Sequence, residues 1–295
     1  MGAIDWPFFF EVSLGGLLTG GLYALIGLGF VIVYKATRVV NFAIGDQMMI
    51  SAYFFLTLVG AAGVPVWLGL ALAVALGALL GGAIERVMIR PMLGESPISV
   101  VMVTIGLGSI LVGIAQIVWT AEPQVLPIFM PSQPIFVFDL YIAPKIAYGA
   151  LFAAVLIALY VAYFRFSRGG VALRATASDQ AAAYSMGINV PGVFNMAWLF
   201  GSLAAALAGI LVTASGGLSP RTGEIALSVL VVVILGGLDS VLGALIGGLV
   251  VGWLESVTGA YLGGEVKVLG TFMLLVMILV VRPYGLFGTH EIERL

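Results

Sequence analysis

Long apolar runs, separated by short polar punctuation, dominate this chain. Residues 8–34 form the first run, which ends at Lys35 and Arg38. Residues 41–60 form a second, and 66–84 a charge-free third closed by Glu85, Arg86 and Arg90. Runs 99–120, 146–164 and 192–215 follow, each near the ~20 residues a helix needs to cross a bilayer. The later pattern is less regular. Residues 225–238 give only 14 apolar positions, and 240–254 stop similarly short at Glu255, with Gly236 to Ser240 joining the two. A last run, 268–281, ends at Arg282 and Pro283. Short, glycine-interrupted segments predict broken or re-entrant helices. The fold class expected is all-α: a polytopic transmembrane bundle of about 8–9 spans, with residues 1–295 as one transmembrane domain.

Two polar intervals stand out. Residues 122–143 carry Pro123, Pro127, Pro131 and Pro134 and no lysine or arginine, which predicts an ordered loop on the outer surface. Residues 165–191 contain Arg165, Arg168 and Arg174, then Thr176-Ala-Ser-Asp179, a spacing that reads as a capping box. Gln180 to Met186 propagate a helix through three alanines. Gly187 suits a left-handed helix end, and Pro191 forbids continuation. A helix of about two to three turns over 176–187 is marginal alone and must dock on something.

Composition fits this pattern. Of 295 residues, 62% are hydrophobic and 9% charged, with mean hydropathy +1.19, too few charges to cover a soluble domain. A net charge of −2 argues against nucleic acid as a partner. Glycine, at 40 residues, allows close helix approach in a bilayer. There is no cysteine, and the single histidine, His290, leaves no cluster from which to expect a metal site. The start, MGAIDWPFFFE, is acidic where a cleaved signal needs a basic segment, so no cleavage is expected. Alternating the runs puts Lys35, Arg38, Arg86, Arg90, Arg165, Arg168, Arg174, Arg282 and Arg294 on one side, and Lys145, Arg221 and Lys267 on the other. The positive-inside rule makes the first side cytoplasmic, with the N-terminus outside and nine crossings, or eight with one re-entrant segment.

Few polar groups interrupt the runs. Asn41, Asp46 and Gln47 open the second, and buried acids in a membrane usually face a cavity or a partner. They are candidates for a gate, but the preferred reading is that Asp46 caps a helix at the interface beside Lys35 and Arg38, where charge costs little. Asp239 and Ser240 read as a cap on a half-helix facing the pathway, or as a surface turn. Thr104, Ser109, Gln116, Ser202, Thr213 and Ser215 line a path or bond to neighbouring helices. Glu255 either pairs with a cation across a subunit interface or ends its helix at the outer surface. No G-x-x-x-x-G-K-[ST] loop exists, so the chain carries no P-loop of its own.

Several stretches resemble one family. Ala181 to Gly187, Ala-Ala-Ala-Tyr-Ser-Met-Gly, resembles the EAA-x-x-x-G coupling motif of bacterial ABC importer permeases, with Ala181 where many have Glu. Asn41-Phe42-Ala43-Ile44-Gly45-Asp46 resembles the NFA-x-G-(E/D) signature of branched-chain amino acid (Liv-type) permeases, H-type subunit; Ile44 and Gln47 depart from the commonest residues. The glycine-rich stretch 235–248 and the Arg282 to Gly288 segment are similar to that family too, in the same order along the chain.

The resemblance implies a membrane-spanning permease subunit of an ATP-driven importer for branched-chain or other small amino acids, or related small polar solutes. It implies alternating access in the bacterial inner membrane, with a second permease subunit, identical or a paralogue. Two cytoplasmic ATPase subunits would bind the ATP, and a periplasmic binding protein would deliver substrate; this chain would hold no cofactor. Asp179, Ala181, Ala182, Ala183, Tyr184, Met186 and Gly187 would then contact the ATPase. Asn41, Asp46, Gln47, Thr104, Ser109, Asp239 and Ser240 are the candidates for path or gate. The alternative is an ion-coupled secondary transporter, kept open by Asp46 and Glu255. A membrane-embedded enzyme is disfavoured, because no catalytic cluster falls within the spans.

Overall fold

A computed structural model describes residues 5–288 apart from 93, 128, 132, 138 and 139, and the side chains of Pro97, Val137 and Glu265; His290 and Arg294 lie outside the described residues. The chain folds as a helical bundle. In order come α1 (Trp6–Thr37), α2 (Ile44–Phe55), α3 (Val66–Ile84), α4 (Pro97–Trp119), α5 (Pro144–Phe166), α6 (Arg168–Ser178), α7 (Gln180–Ser185), α8 (Val190–Gly216), α9 (Ile225–Gly236), α10 (Val241–Leu262) and α11 (Gly264–Val281). Two helices continue into wider π-helical turns, α2 through Leu56–Ala61 and α3 through Glu85–Ile89. Seven helices among the described residues are long and apolar enough to cross a membrane; Thr222–Gly236 and Val266–Val281 are shorter apolar helices. Together these match the expected polytopic bundle.

The core has two halves that share α8. One half packs α1 against α8, α9 and α10; the other packs α2 and α3 against α8, with α4 against α2. Glycine sets the closest approach. A methyl group at Gly20 of α1 would meet the Gly248 carbonyl of α10 at 2.5 Å, and one at Gly16 would meet Ser256 at 2.7 Å. Small residues four apart on both helices permit backbone contact, the main source of helix attraction where lipid removes the hydrophobic driving force.

Three expectations change. The second late run does not stop near Glu255. Helix α10 continues to Leu262, with Glu255 2% exposed inside it. Burial there is tolerable because Glu255 accepts hydrogen bonds from Tyr23 (2.7 Å) and Thr271 (3.2 Å) and pairs with Lys267 at 3.0 Å within the same chain. Among the described residues of 122–143, β1 (Ile135–Val137) pairs antiparallel with β2 (Leu140–Ile142), but the segment also lies back on the bundle. Leu126 and Met130 are buried, and Phe129 meets Phe55 edge-on at 5.3 Å between centroids. Third, the central polar stretch holds two helices instead of one, described below.

Candidate functional site

Two regions carry the sequence-derived candidates. At the end of the bundle bearing Lys35, Arg38, Arg90 and Arg174, the chain leaves α5 and turns sharply. Ser167 both ends α5 and caps α6, its hydroxyl accepting from Gly170 N at 3.0 Å. Arg174 donates to the carbonyls of Phe164 and Arg165, the free acceptors at the end of α5. Helix α6 stops at Ser178, because Asp179 takes an extended conformation (φ −158°) and restarts the chain as the cap of α7. Its carboxylate accepts from Ala182 N at 2.9 Å. The cap is therefore Asp179 and not Thr176, which lies buried inside α6. The sequence signal misled because a capping spacing can fall by accident within a helix.

Helix α7 closes as anticipated at Gly187, φ +80°. Ile188 N donates to Ala183 O at 3.0 Å and Gly187 N to Tyr184 O at 2.9 Å, the paired bonds of a Schellman ending. Ala183 and Ile188 face the core, while Asp179, Ala181, Ala182, Tyr184 and Met186 are exposed. Tyr184 and Met186 are 71% and 82% exposed, a small apolar knob presented outward. Pro191 sits in the first turn of α8, where a missing N–H is harmless, and Asn189 caps that helix through Gly192 N at 3.1 Å.

Two arginines bracket α7. Arg38, at the end of α1, donates to Ala177 O at 3.2 Å just before it; Arg90, at the end of α3, donates to Pro191 O at 3.3 Å just after. Composition-level reading missed this clamp. Arg90 also forms a two-point pair with Glu85, which is 1% exposed and accepts from Asn195 of α8 at 2.7 Å. The five-residue spacing from Glu85 to Arg90 is what a π turn places on one face, so the signal exists only once that turn is known.

The second region is the start of α2. Asp46 makes no cap there; Ala43 occupies that position without a side-chain bond. Asp46 packs against Gly108, midway along α4, and against Gly223, which precedes α9. It is therefore in the middle of the bundle, away from Lys35 and Arg38. Around it, Asn41 Oδ1 accepts from Ala43 N, Thr104 Oγ1 accepts from Phe42 N, and Gln47 Oε1 accepts from Ser202 of α8 at 2.6 Å. Asn41 Nδ2 and Gln47 Nε2 are buried with no hydrogen-bond partner among the described residues. Ser109 points to the exposed face of α4 and bonds its own helix at Ile105 O. A cavity of about 190 Å³ opens beside Asp46, lined by Phe30, Phe42, Glu224, Leu227 and Leu230 among others.

The chain reaches this point by turning inward after α8. Leu218 pairs with Gln124, and five residues later Gly223 meets Gly45 and Asp46, so α9 needs only the remaining depth of the bundle. That is why its apolar run is short. Asp239 and Ser240 lie at the other end of α9, where Lys35 Nζ donates to Asp239 O at 3.3 Å and Ser240 caps α10 through Gly243 N. The structure thus joins Asn41, Asp46, Gln47 and Thr104 in one region and keeps Asp239 and Ser240 apart from it.

The family described as "Branched-chain amino acid transport system / permease component" matches residues 12–281. The chain is 31% identical over 303 residues to the high-affinity branched-chain amino acid transport system permease protein LivH of Escherichia coli K12, covering 97% of this chain and 98% of that one. It is 28% identical to BraD of Pseudomonas aeruginosa, with the same coverage. A probable LivH of Methanocaldococcus jannaschii is 30% identical over 248 residues, 80% of this chain and 77% of that relative. With matches of this extent on a polytopic helical bundle, the chain belongs to the branched-chain amino acid transport system permease family and is a membrane-spanning permease subunit of an ABC importer.

Proposed function

We propose that this subunit imports branched-chain or other small amino acids, or related small polar solutes, by alternating access powered through α7. Two separate cytoplasmic ATPase subunits bind the ATP, a periplasmic protein delivers the substrate, and a second permease subunit, identical or a paralogue, forms the other wall of the path. The membrane is the bacterial inner membrane, with the Lys35, Arg38 and Arg90 end inward. This chain contributes no cofactor, metal or catalytic group. Its task is to convert a push on α7 into movement of the bundle.

The observation that carries this reading is the mounting of α7. Asp179 and Gly187 fix both ends, Ala183 anchors the inner face, and Tyr184 and Met186 project outward. Force applied there passes to α8 directly and to α1 and α3 through Arg38 and Arg90. On the path side, Asn41, Asp46, Gln47 and Thr104 gather around the start of α2, while Ser109 faces outward from α4 and is dropped from the path. The carboxylates of Asp46 and Glu224 suit a substrate ammonium, and Phe30, Phe42, Leu227 and Leu230 suit an apolar side chain. Asp239 and Ser240 belong to the inner gate.

The test is reconstitution with the ATPase subunits and binding protein, followed by ATP-dependent uptake of labelled leucine. Tyr184→Ala with Met186→Ala should insert normally, lose co-purification of the ATPase about tenfold or more, and lose uptake in proportion. Leucine uptake by the purified chain alone, driven by an ion gradient, would overturn the proposal. Competition by urea but not by amino acids would move the substrate class.

A further inference from the structure

Where α1, α5 and the start of α10 meet under α6, the structure has a cavity of about 440 Å³. Its walls are apolar: Val31 and Ile32 of α1, Val161 and Phe164 of α5, and Val241 of α10. Its rim is cationic, formed by Lys35, Arg165 and Arg174 at the same end of the bundle, and no acidic residue lines it among the described residues.

We propose that this cavity is a binding site for one anionic phospholipid, with the headgroup phosphate at Lys35, Arg165 and Arg174 and an acyl chain along Val31, Ile32 and Val161. Lys35 is half-buried, and its bond to Asp239 O uses one of three ammonium protons, leaving donors for a phosphate. The Arg165 guanidinium lies 5.6 Å from the Phe166 ring and donates no hydrogen bond among the described residues. Arg174 holds the roof through the carbonyls of Phe164 and Arg165 and adds its charge. A basic pocket between spanning helices, at the leaflet boundary, is the chemistry that recognises anionic headgroups. A free phosphate has no use for the apolar walls. A partner helix pressed here would have to supply carboxylates to three cations or leave them desolvated. The neighbouring surface of α5 exposes Val155, Leu159 and Val161, as a lipid-facing helix does. The site borders α6, so its occupant shares a wall with the segment that leads into α7.

The experiment measures lipid retained by the purified full-length chain, by native mass spectrometry after delipidation and titration with three probes: phosphatidylglycerol, phosphatidylcholine and inorganic phosphate. One tightly held phosphatidylglycerol per chain is expected, with phosphatidylcholine at least tenfold weaker and millimolar phosphate unable to compete. Removing one cation, Arg165→Ala, should weaken binding about fivefold, and Lys35→Ala with Arg165→Ala on the order of thirtyfold. Arg86→Ala, an equal charge loss in the exposed π-helical turn after α3, should change nothing. Val161→Trp keeps every cation and fills the apolar slot, so it should release the lipid without disturbing the fold. Equal binding of the two lipids, displacement by phosphate, or indifference to both Arg165→Ala and Val161→Trp would overturn the site. The chain has no cysteine, so Val161→Cys gives this chain a single thiol to probe once it is assembled with cysteine-free partner subunits. Its reaction with a lipid-soluble thiol reagent supports the site, and cross-linking to the second permease subunit would sink it.

Discussion

Arg90 grips Glu85 at two points, Nε to Oε1 at 3.0 Å and Nη2 to Oε2 at 2.8 Å, while reaching Pro191 O across the gap between α3 and α8. The carboxylate is buried and the guanidinium about one-third exposed, 34% for its side chain. Removing the exposed partner leaves a buried charge with Asn195 as its remaining side-chain donor. Loss of one partner of a buried pair typically costs 3–5 kcal/mol, and the wet side of this pair reduces that to about 2 kcal/mol. Arg90→Ala should therefore lower the unfolding temperature in detergent, whereas Arg90→Ala with Glu85→Gln should recover part of the loss. Additive losses in the double variant would show that the pair is not a unit.

Glu255 offers a second test, and it bears on energy coupling. An intramembrane acid that carried ions would alternate between partners, but this one is held by Tyr23, Thr271 and Lys267 at once. Tyr23→Phe should cost about 1 kcal/mol, the usual net worth of such a bond. Lys267→Met, which strands the carboxylate, should cost more, and adding Glu255→Gln should restore most of it. The amount of folded protein should follow stability in all three variants, with uptake per folded protein unchanged. A Glu255→Gln chain of normal stability with no uptake would assign the residue a transport role.

Glycine at position 45 is required by contact. Gly45 meets Gly223 backbone, and an added methyl would also sit 2.6 Å from the Ala226 side chain. Neither backbone can retreat, because Gly223 is itself closed in by Asp46. Gly45→Val should destabilise by about 1–3 kcal/mol, as overpacked cores do. Gly15→Val, on α1 where a new Cβ meets open space, is the matched control and should be tolerated. Equal unfolding temperatures for the two variants would contradict the close approach.

Much of this was legible in the apolar runs, because a bilayer forces each run long enough to cross to become a helix. The ending of α7 was legible too, since glycine has a distinct preference at a left-handed position. What the runs could not show is depth. Asp46 reads as an interfacial residue by counting from Lys35 and Arg38, yet the chain turns back into the bundle between Arg38 and Ile44. The same inward turn after α8 explains the short α9. Likewise Glu255 looked like a helix end because charge usually marks one, and its partners Tyr23 and Thr271 lie on other helices. Pairings across helices leave no trace in a one-dimensional pattern.

Gly187 separates docking from folding. At φ +80°, any β-branched residue is strained by roughly 1–2 kcal/mol, while a Cβ there meets nothing within 4 Å. Gly187→Val should thus insert and fold nearly as well as the parent, yet tilt the exit of α7 and lower ATP-dependent uptake. Gly187→Asn, better suited to the left-handed region, should restore much of it. Normal uptake by Gly187→Val would remove α7 from the coupling route.

Asp46→Asn is the sharpest probe of the path. The side chain is half-buried, packs on Gly108 and Gly223, and has no hydrogen-bond partner among the described residues, so an isosteric amide keeps the packing and removes only the charge. The unfolding temperature should stay within about 2 °C, since no bond to Asp46 is lost. If its carboxylate meets the substrate ammonium beside Phe42 and Leu230, the concentration for half-maximal uptake should rise about tenfold or more, with ATPase assembly unchanged. Loss of a charge-assisted bond of about 1.5–3 kcal/mol sets that scale. Unaltered uptake in a stable Asp46→Asn protein would place the path elsewhere. A fall in stability with unchanged apparent affinity would make Asp46 a packing residue held by the two glycines.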